Sequence, residues 1–281
     1  MKKVYIITNT AKDPSLSVTH DLVSLLKEYE IESVLAPKPL TDDVECILVL
    51  GGDGTLLKAS TDYADRNIPF LGINLGTLGF MTEVEIGQMD SAVRALLDKT
   101  YTIEERMMLN GSIQLKSGET YFGHALNDIV LTRKGSLHIL AFDIFVNGRF
   151  LNSYKADGMI VSTPTGSTGY NMSAGGPIIE PKAKMILLTP ICPHTLNTRS
   201  IILDAEDVIK IQASSRRKYD NDIKKVFFDG DDNIELEDGD IVEIEKSKLS
   251  AEIIKLKSRS FLEILGKKMG TNEGSETEKN S

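Results

Sequence analysis

Tryptophan is absent from the 281 residues, aromatic residues make up only 6% of them, and cysteine occurs twice, at Cys46 and Cys192. Two thiols make no disulfide framework, and both stand in apolar runs, CILVL and ICP. They read as two buried thiols in a reducing compartment. No apolar run approaches the ~18 residues of a bilayer span, and MKKVYIITNT at the N-terminus is apolar only briefly and reads as a first strand. Positive charge is in deficit, with 32 Lys and Arg against 41 Asp and Glu and a net charge of −9. Such a chain is a poor electrostatic partner for nucleic acid or an anionic membrane. With four histidines and no Cys/His clustering, a zinc centre has no support, and no metal-ligating side chains are assigned. The expectation is a cytoplasmic protein with neither nucleic-acid nor membrane partners.

The remaining composition, 41% apolar, supplies two packed cores, and the pattern changes along the chain. Over residues 1–100, short apolar runs (Val4–Ile7, Ser33–Ala36, Cys46–Leu50, Phe70–Ile73) alternate with helical spacing at Ser17–Tyr29, Thr55–Arg66 and Gln88–Lys99. This predicts an α/β domain with a parallel sheet. After Tyr101, short strands follow one another across turn residues, with Asn147-Gly148 a type I′ hairpin signal and Asp238-Gly239 read in the same way. Residues 101–270 are therefore predicted as an all-β sandwich, with 260–269 as a terminal helix or strand, and 271–281 as a disordered tail. Arg216-Arg217-Lys218 reads as a solvated loop.

Two segments carry the chemistry. Gly51-Gly52-Asp53-Gly54-Thr55 stands where a buried strand ends and a helix begins. That edge of an open α/β sheet is where ligands bind, and the free N–H groups of a glycine turn at a helix start suit phosphate oxygens. A carboxylate there repels phosphate and so needs a reason. It is either a general base that takes the proton of an attacking hydroxyl, with a share in holding Mg²⁺, or a cap on the N–H of Leu56. The second segment runs from Asp157 to Pro177, DGMIVSTPTGSTGYNMSAGGP. Its small and hydroxyl residues suit a surface lying flat against a ligand. Between them, Leu75–Phe80 makes a second glycine turn on the same sheet edge. Asn127-Asp128 pairs an amide for a base with a carboxylate for sugar hydroxyls, or else forms an Asx turn. Asp229-Gly230-Asp231 fails the calcium-loop pattern and reads as a hairpin turn. Neither a P-loop nor a GxGxxG fingerprint is present.

Together GGDGT at 51–55, LGTLGF at 75–80, ND at 127–128 and the 157–177 segment resemble the NAD kinases, over residues 2–268. The resemblance implies two domains with the active site in the crevice between them, a homodimer or homotetramer, and ATP with Mg²⁺ as the phosphoryl donor to NAD, polyphosphate serving some members. It implies Asp53 as base for the ribose 2′-hydroxyl, with Gly54 and Phe80 lining the adenosine site and Gly52 among the binding residues. Asn127 and Thr168 would contact adenine and Asp128 the ribose. Gly169, Tyr170 and Ser173 would complete that wall, and Asp157 would reach the nicotinamide end. The chain departs from the family with Asp128 where glutamate is frequent and Asp231 where glutamine is. Lipid kinases share GGDGT, but follow it with Gly-Thr-Gly-Asn-Asp where this chain has Gly76-Thr77-Leu78-Gly79-Phe80. A catalytically silent dinucleotide sensor is the other alternative; it gains little from an acid among phosphates.

Overall fold

The computed structural model describes all residues except 78, 135–138, 196–197, 216–222, 257–259 and 271–281. The expected basic loop at 216–218 and the expected disordered tail lie outside the described residues. The chain forms two compact units, Met1–Glu104 with Glu252–Ser281, and Glu105–Ala251.

The first unit is built from β1 (Lys3–Thr8), α1 (Ser17–Glu28), β2 (Glu32–Leu35), β3 (Cys46–Gly51), α2 (Asp53–Asp62), β4 (Phe70–Asn74), β5 (Val84–Glu85) and α3 (Met89–Leu97). Strands β4-β3-β1-β2 lie in that order and run parallel. Every residue of β3 is buried, as its unbroken apolar run predicts for a strand covered on both faces. On one face Leu22 and Leu26 of α1 and Val93 and Leu96 of α3 pack on Ile6, Leu48 and Leu71. From β1 the chain moves outward to β2 on one side, while β3 leads to β4 on the other. The order therefore reverses between β1 and β3, and their carboxyl ends flank the place where such sheets receive ligands.

The chain enters the second unit along β6 (Thr102–Gln114). It continues through β7 (Thr120–Ala125), β8 (Asp128–Lys134), β9 (Leu140–Val146), β10 (Arg149–Ala156), β11 (Gly158–Ser162), the short α4 (Tyr170–Ser173), β12 (Met185–Ile191), β13 (Ile201–Asp204), β14 (Ile209–Ser215), β15 (Ile223–Phe228), β16 (Asp231–Leu236) and β17 (Ile241–Lys255), and ends in α5 (Phe261–Met269). Within this unit β10-β9-β14-β17 form one antiparallel path and β13-β12-β11-β8-β15-β16 another. Alternate residues of both, such as Phe142, Ile144 and Ile211 from the first and Leu131, Val161 and Leu188 from the second, share one core. This is sheet-on-sheet packing, as period-two patterning requires.

Three local differences from the sequence reading have physical reasons, and the choice of helix or strand at 260–269 falls to helix. The second unit closes at Ala251, short of residue 270, because the end of β17, from Glu252 on, belongs to the first unit and pairs there with β4 through Ile253 and Phe70. Residues 261–269 then form a helix, capped by Ser260, whose Oγ accepts from Glu263 N while Glu263 accepts from Ser260 N. Asn147 and Gly148 both have positive φ, as a type I′ hairpin demands, but at 238–239 only Gly239 does. There β16 and β17 belong to different paths, so that turn joins layers and makes no hairpin. Cys46 is buried, but Cys192 is exposed, since β12 ends at Ile191 and Cys192 turns away at φ 46°. Leu48→Ala, in the middle of β3, is expected to destabilise the chain by about 2–5 kcal/mol, read as a fall in Cm in denaturant unfolding with the helical signal intact at zero denaturant.

Candidate active site

In the first unit, α2 starts directly after β3. Gly52 O accepts from Thr55 N at 3.0 Å and Leu56 N at 3.1 Å, so Leu56 N is satisfied by backbone and not by Asp53. The capping reading of Asp53 is thereby overturned. Its carboxylate turns instead to the segment that follows β4. Oδ2 accepts from Phe80 N at 2.6 Å, and Oδ1 accepts from Met81 N at 3.0 Å, Thr82 N at 3.1 Å and Thr82 Oγ1 at 3.3 Å. Oδ1 is saturated, whereas Oδ2, with one donor, keeps a lone pair for another. Gly79 is needed for this clasp, because a Cβ there would overlap the Asp53 carboxylate. Gly54 is exposed with nothing near the position of a Cβ, which leaves its face open to a ligand. As at any helix start, the N–H groups of Asp53 and Gly54 lack intrahelical acceptors. Phe80 is half-buried, with the Phe261 ring 5.9 Å away and Lys268 Nζ 5.0 Å from its centroid, so it is held by α5.

In the second unit, Asn127, Asp128 and Tyr170 share a cleft of about 400 Å³ with Val130, Phe227 and Asp229. Val130, Ile160 and Ile191, with Ala174 and Phe227 against them, form an apolar cluster beneath it. Asn127 Oδ1 is buried and has no hydrogen-bond partner among the described residues. An orphaned buried acceptor is costly and awaits a donor. Asp229, which the sequence reading left as a turn residue, is the organiser. Its hairpin has positive φ at both Asp229 and Gly230, and its carboxylate accepts from Leu126 N and Asn127 N, both at 2.8 Å, and from Asp128 N at 3.1 Å. Burial first, and then the Asp229 charge, push Asp128 up to about 7. Burial, followed by the charges of Cys192 and Asp128, also holds the Tyr170 phenol above its ordinary value.

A model of the ATP-NAD kinase N-terminal domain matches residues 5–101, and one of the C-terminal domain matches residues 126–256. NAD kinases of Agathobacter rectalis and Lachnoclostridium phytofermentans are 44% and 43% identical to the chain, each over 96% of it and 99% of the relative. The chain belongs to the NAD kinase family. A yeast NADH kinase solved with NADH superposes with a TM-score of 0.87, at 25% identity over 97% of this chain and 88% of that one. An Archaeoglobus fulgidus NAD kinase solved with ATP gives 0.79, at 25% identity over 94% and 98%. The two-domain NAD kinase fold and kinase activity expected from the sequence are thus shown, and the lipid-kinase alternative falls.

The remaining residues that the NAD kinase resemblance singles out are placed unevenly. A Cβ on Gly169 would stand 3.5 Å from Asn127 Nδ2, so that glycine lies beside the cleft. Thr168 is half-buried and its hydroxyl donates to Thr165 O at 3.3 Å, while Ser173 is exposed at the end of α4. Asp157 is outside the cleft lining and is held bidentately by Arg133, with Nε to Oδ1 and Nη2 to Oδ2 each at 3.1 Å. Of the hydroxyls of 157–177, expected to lie against a ligand, several turn into the protein instead. Ser162, Thr163 and Ser167 are buried and donate to Asn127 O, Leu126 O and Pro164 O, so most of them hold the loop itself. A small hydroxyl satisfies a nearby carbonyl at little volume, and sequence cannot tell that use from ligand contact. Among the described residues no three His, Cys, Asp or Glu gather to hold a metal ion.

Gly79→Ala is expected to swing the Asp53 carboxylate off its donors and lower turnover by about 10²-fold, measured beside Gly266→Ala on α5, where a Cβ would meet nothing within 4 Å. Asp128 sets a pH dependence of stability. A carboxyl with a raised folded value stabilises most below its unfolded value near 4, and that contribution is lost as pH rises through about 7. Thermal melts of Asp128→Asn are therefore expected to gain on the parent between pH 4.5 and 7.5.

Proposed function

We propose that the chain transfers the γ-phosphoryl group of ATP to the 2′-hydroxyl of the adenosine ribose of NAD, forming NADP, with Asp53 as general base. The observation that carries this reading is the Asp53 carboxylate, clasped on Oδ1 and open on Oδ2, at the carboxyl edge of β3. A base must be fixed in direction and retain a lone pair, and this arrangement provides both. The glycine turn and the start of α2 bind phosphate oxygens through backbone N–H groups. The second unit supplies acceptor recognition: Asn127 Oδ1 takes the adenine amino group, Asp128 bonds ribose hydroxyls and Tyr170 covers the cleft. Thr168, Gly169 and Ser173 extend that wall, Gly52, Gly54 and Phe80 line the phosphate and adenosine end, and Asp157 with Arg133 serves the nicotinamide end. The relatives solved with NADH and with ATP support a dinucleotide acceptor and a nucleotide donor.

Mg²⁺ enters this reading as part of the donor, carried by its phosphates. The reading also takes the protein to be cytoplasmic and a homodimer or homotetramer. No helix among the described residues is long and apolar enough to cross a membrane. Asp53→Asn keeps shape and most hydrogen bonding but loses basicity. It is expected to lower kcat by roughly 10²–10⁴-fold with NAD affinity unchanged, measured as NADP formation through an NADP-specific coupled dehydrogenase. Equal turnover would remove Asp53 from its role, and NAD binding without turnover in the parent chain would favour the sensor.

A further inference from the structure

The donor's terminal phosphate must be held beside Asp53, in a chain whose net charge is −9. One cation stands there that neither the glycine motifs nor the family resemblance singled out. After β1 the backbone folds tightly on Asn9, whose carbonyl accepts from Lys12 N at 2.9 Å and Asp13 N at 3.0 Å. Asn9 N donates to Leu50 O at 2.8 Å, and its Nδ2 to Thr55 Oγ1 at 3.0 Å, which ties this turn to the end of β3 and the first turn of α2. Lys12 is thereby carried over both glycine turns. Its Nζ lies 2.8 Å from where a Cβ on Gly52 would stand and 3.5 Å from where one on Gly76 would stand. The side chain is exposed, and its ammonium has neither hydrogen bond nor ion pair with any described residue. An unpaired lysine is ordinary on an open surface. This one sits at the reversal of strand order between β1 and β3, where a sheet of this kind receives its ligand.

A cavity of about 740 Å³ begins at Gly76 and is lined by Thr77, Glu85, Ile86, Lys267 and Lys268 among others. Its volume suits a nucleotide-sized guest. Its lining holds two lysines of α5 and one acid, Glu85, and so carries a positive balance. Resting on the phosphoryl-transfer reading above, we propose that Lys12 holds the terminal phosphoryl group of a polyphosphate-bearing donor, and that the rest of the donor's phosphate chain occupies this cavity toward Lys267. An ammonium there neutralises the transferring oxygens and adds charge-assisted hydrogen bonds, which are the strong ones.

The test measures binding of MgATP, of magnesium tripolyphosphate and of NAD to the parent chain and to Lys12→Met, Lys12→Arg, Lys267→Met and Lys58→Met, with NADP turnover in parallel. Lys58 pairs with Asp62 on α2 and serves as control. Lys12→Met is expected to weaken both donors by about 10–100-fold, with NAD affinity unchanged and a partial return in Lys12→Arg. Lys267→Met is expected to weaken both donors less, and Lys58→Met to match the parent. Unchanged donor binding in Lys12→Met, a loss for ATP but not tripolyphosphate, or an equal loss for NAD would each overturn the role of Lys12. Unchanged binding in Lys267→Met would overturn the placement of the chain. Failure of the parent to make NADP would instead strike the reading on which this rests, so the two failures are separable.

Discussion

A carboxylate held by backbone N–H groups is the constraint on which the first unit's chemistry depends. Asp53 belongs to α2, and its donors Phe80, Met81 and Thr82 follow β4, so one side chain fixes two successive strand ends of a parallel sheet to each other. Backbone donors cannot rotate away as side chains do, which holds the acid in one direction without further cost. The same contacts explain the glycine at 79, where any side chain would occupy the space of the carboxylate. The glycine turns thus serve two ends. Some remove side chains so that the protein can approach itself, and Gly54 leaves a face open to something else.

The second unit uses the same device. Asp229 collects three consecutive backbone N–H groups and so sets the positions of Asn127 and Asp128. The collector is left close to a second carboxyl in an apolar cleft, and that proximity and burial raise Asp128 to about 7. A polar group kept buried and unsatisfied, as Asn127 Oδ1 is, would be selected against in a purely structural turn. Its cost is consistent with a partner that comes from the ligand.

Much of this was legible in the chain itself. The buried run CILVL marked β3, the helical spacing of residues 17–29 marked α1, and Asn147-Gly148 marked a hairpin with both residues at positive φ. These are local signals, set by period and by dihedral preference. Partners distant in sequence were not legible. Nothing local to GGDGT points to residues 80–82, so a cap and a base looked alike until the fold was known. Asp229 was hidden because a hairpin turn accounts for Asp-Gly completely, and Lys12 because an isolated lysine after a strand carries no pattern. The hydroxyl-rich segment misled in the opposite sense, since the hydroxyls of Ser162, Thr163 and Ser167 are spent on backbone carbonyls of residues 126 and 127 and of the segment itself.

The central claim is that one phosphoryl group moves from the donor's γ-position to the 2′-oxygen of the adenosine ribose. The direct measurement is to incubate the protein with NAD and ATP carrying oxygen-18 on the non-bridging γ-phosphoryl oxygens, isolate the dinucleotide product, and locate the label by phosphorus NMR and mass spectrometry. The label is expected in a single monoester on the adenosine 2′-oxygen, with ADP formed in equal amount. Label at another oxygen, or ATP consumed with no labelled dinucleotide, would contradict it.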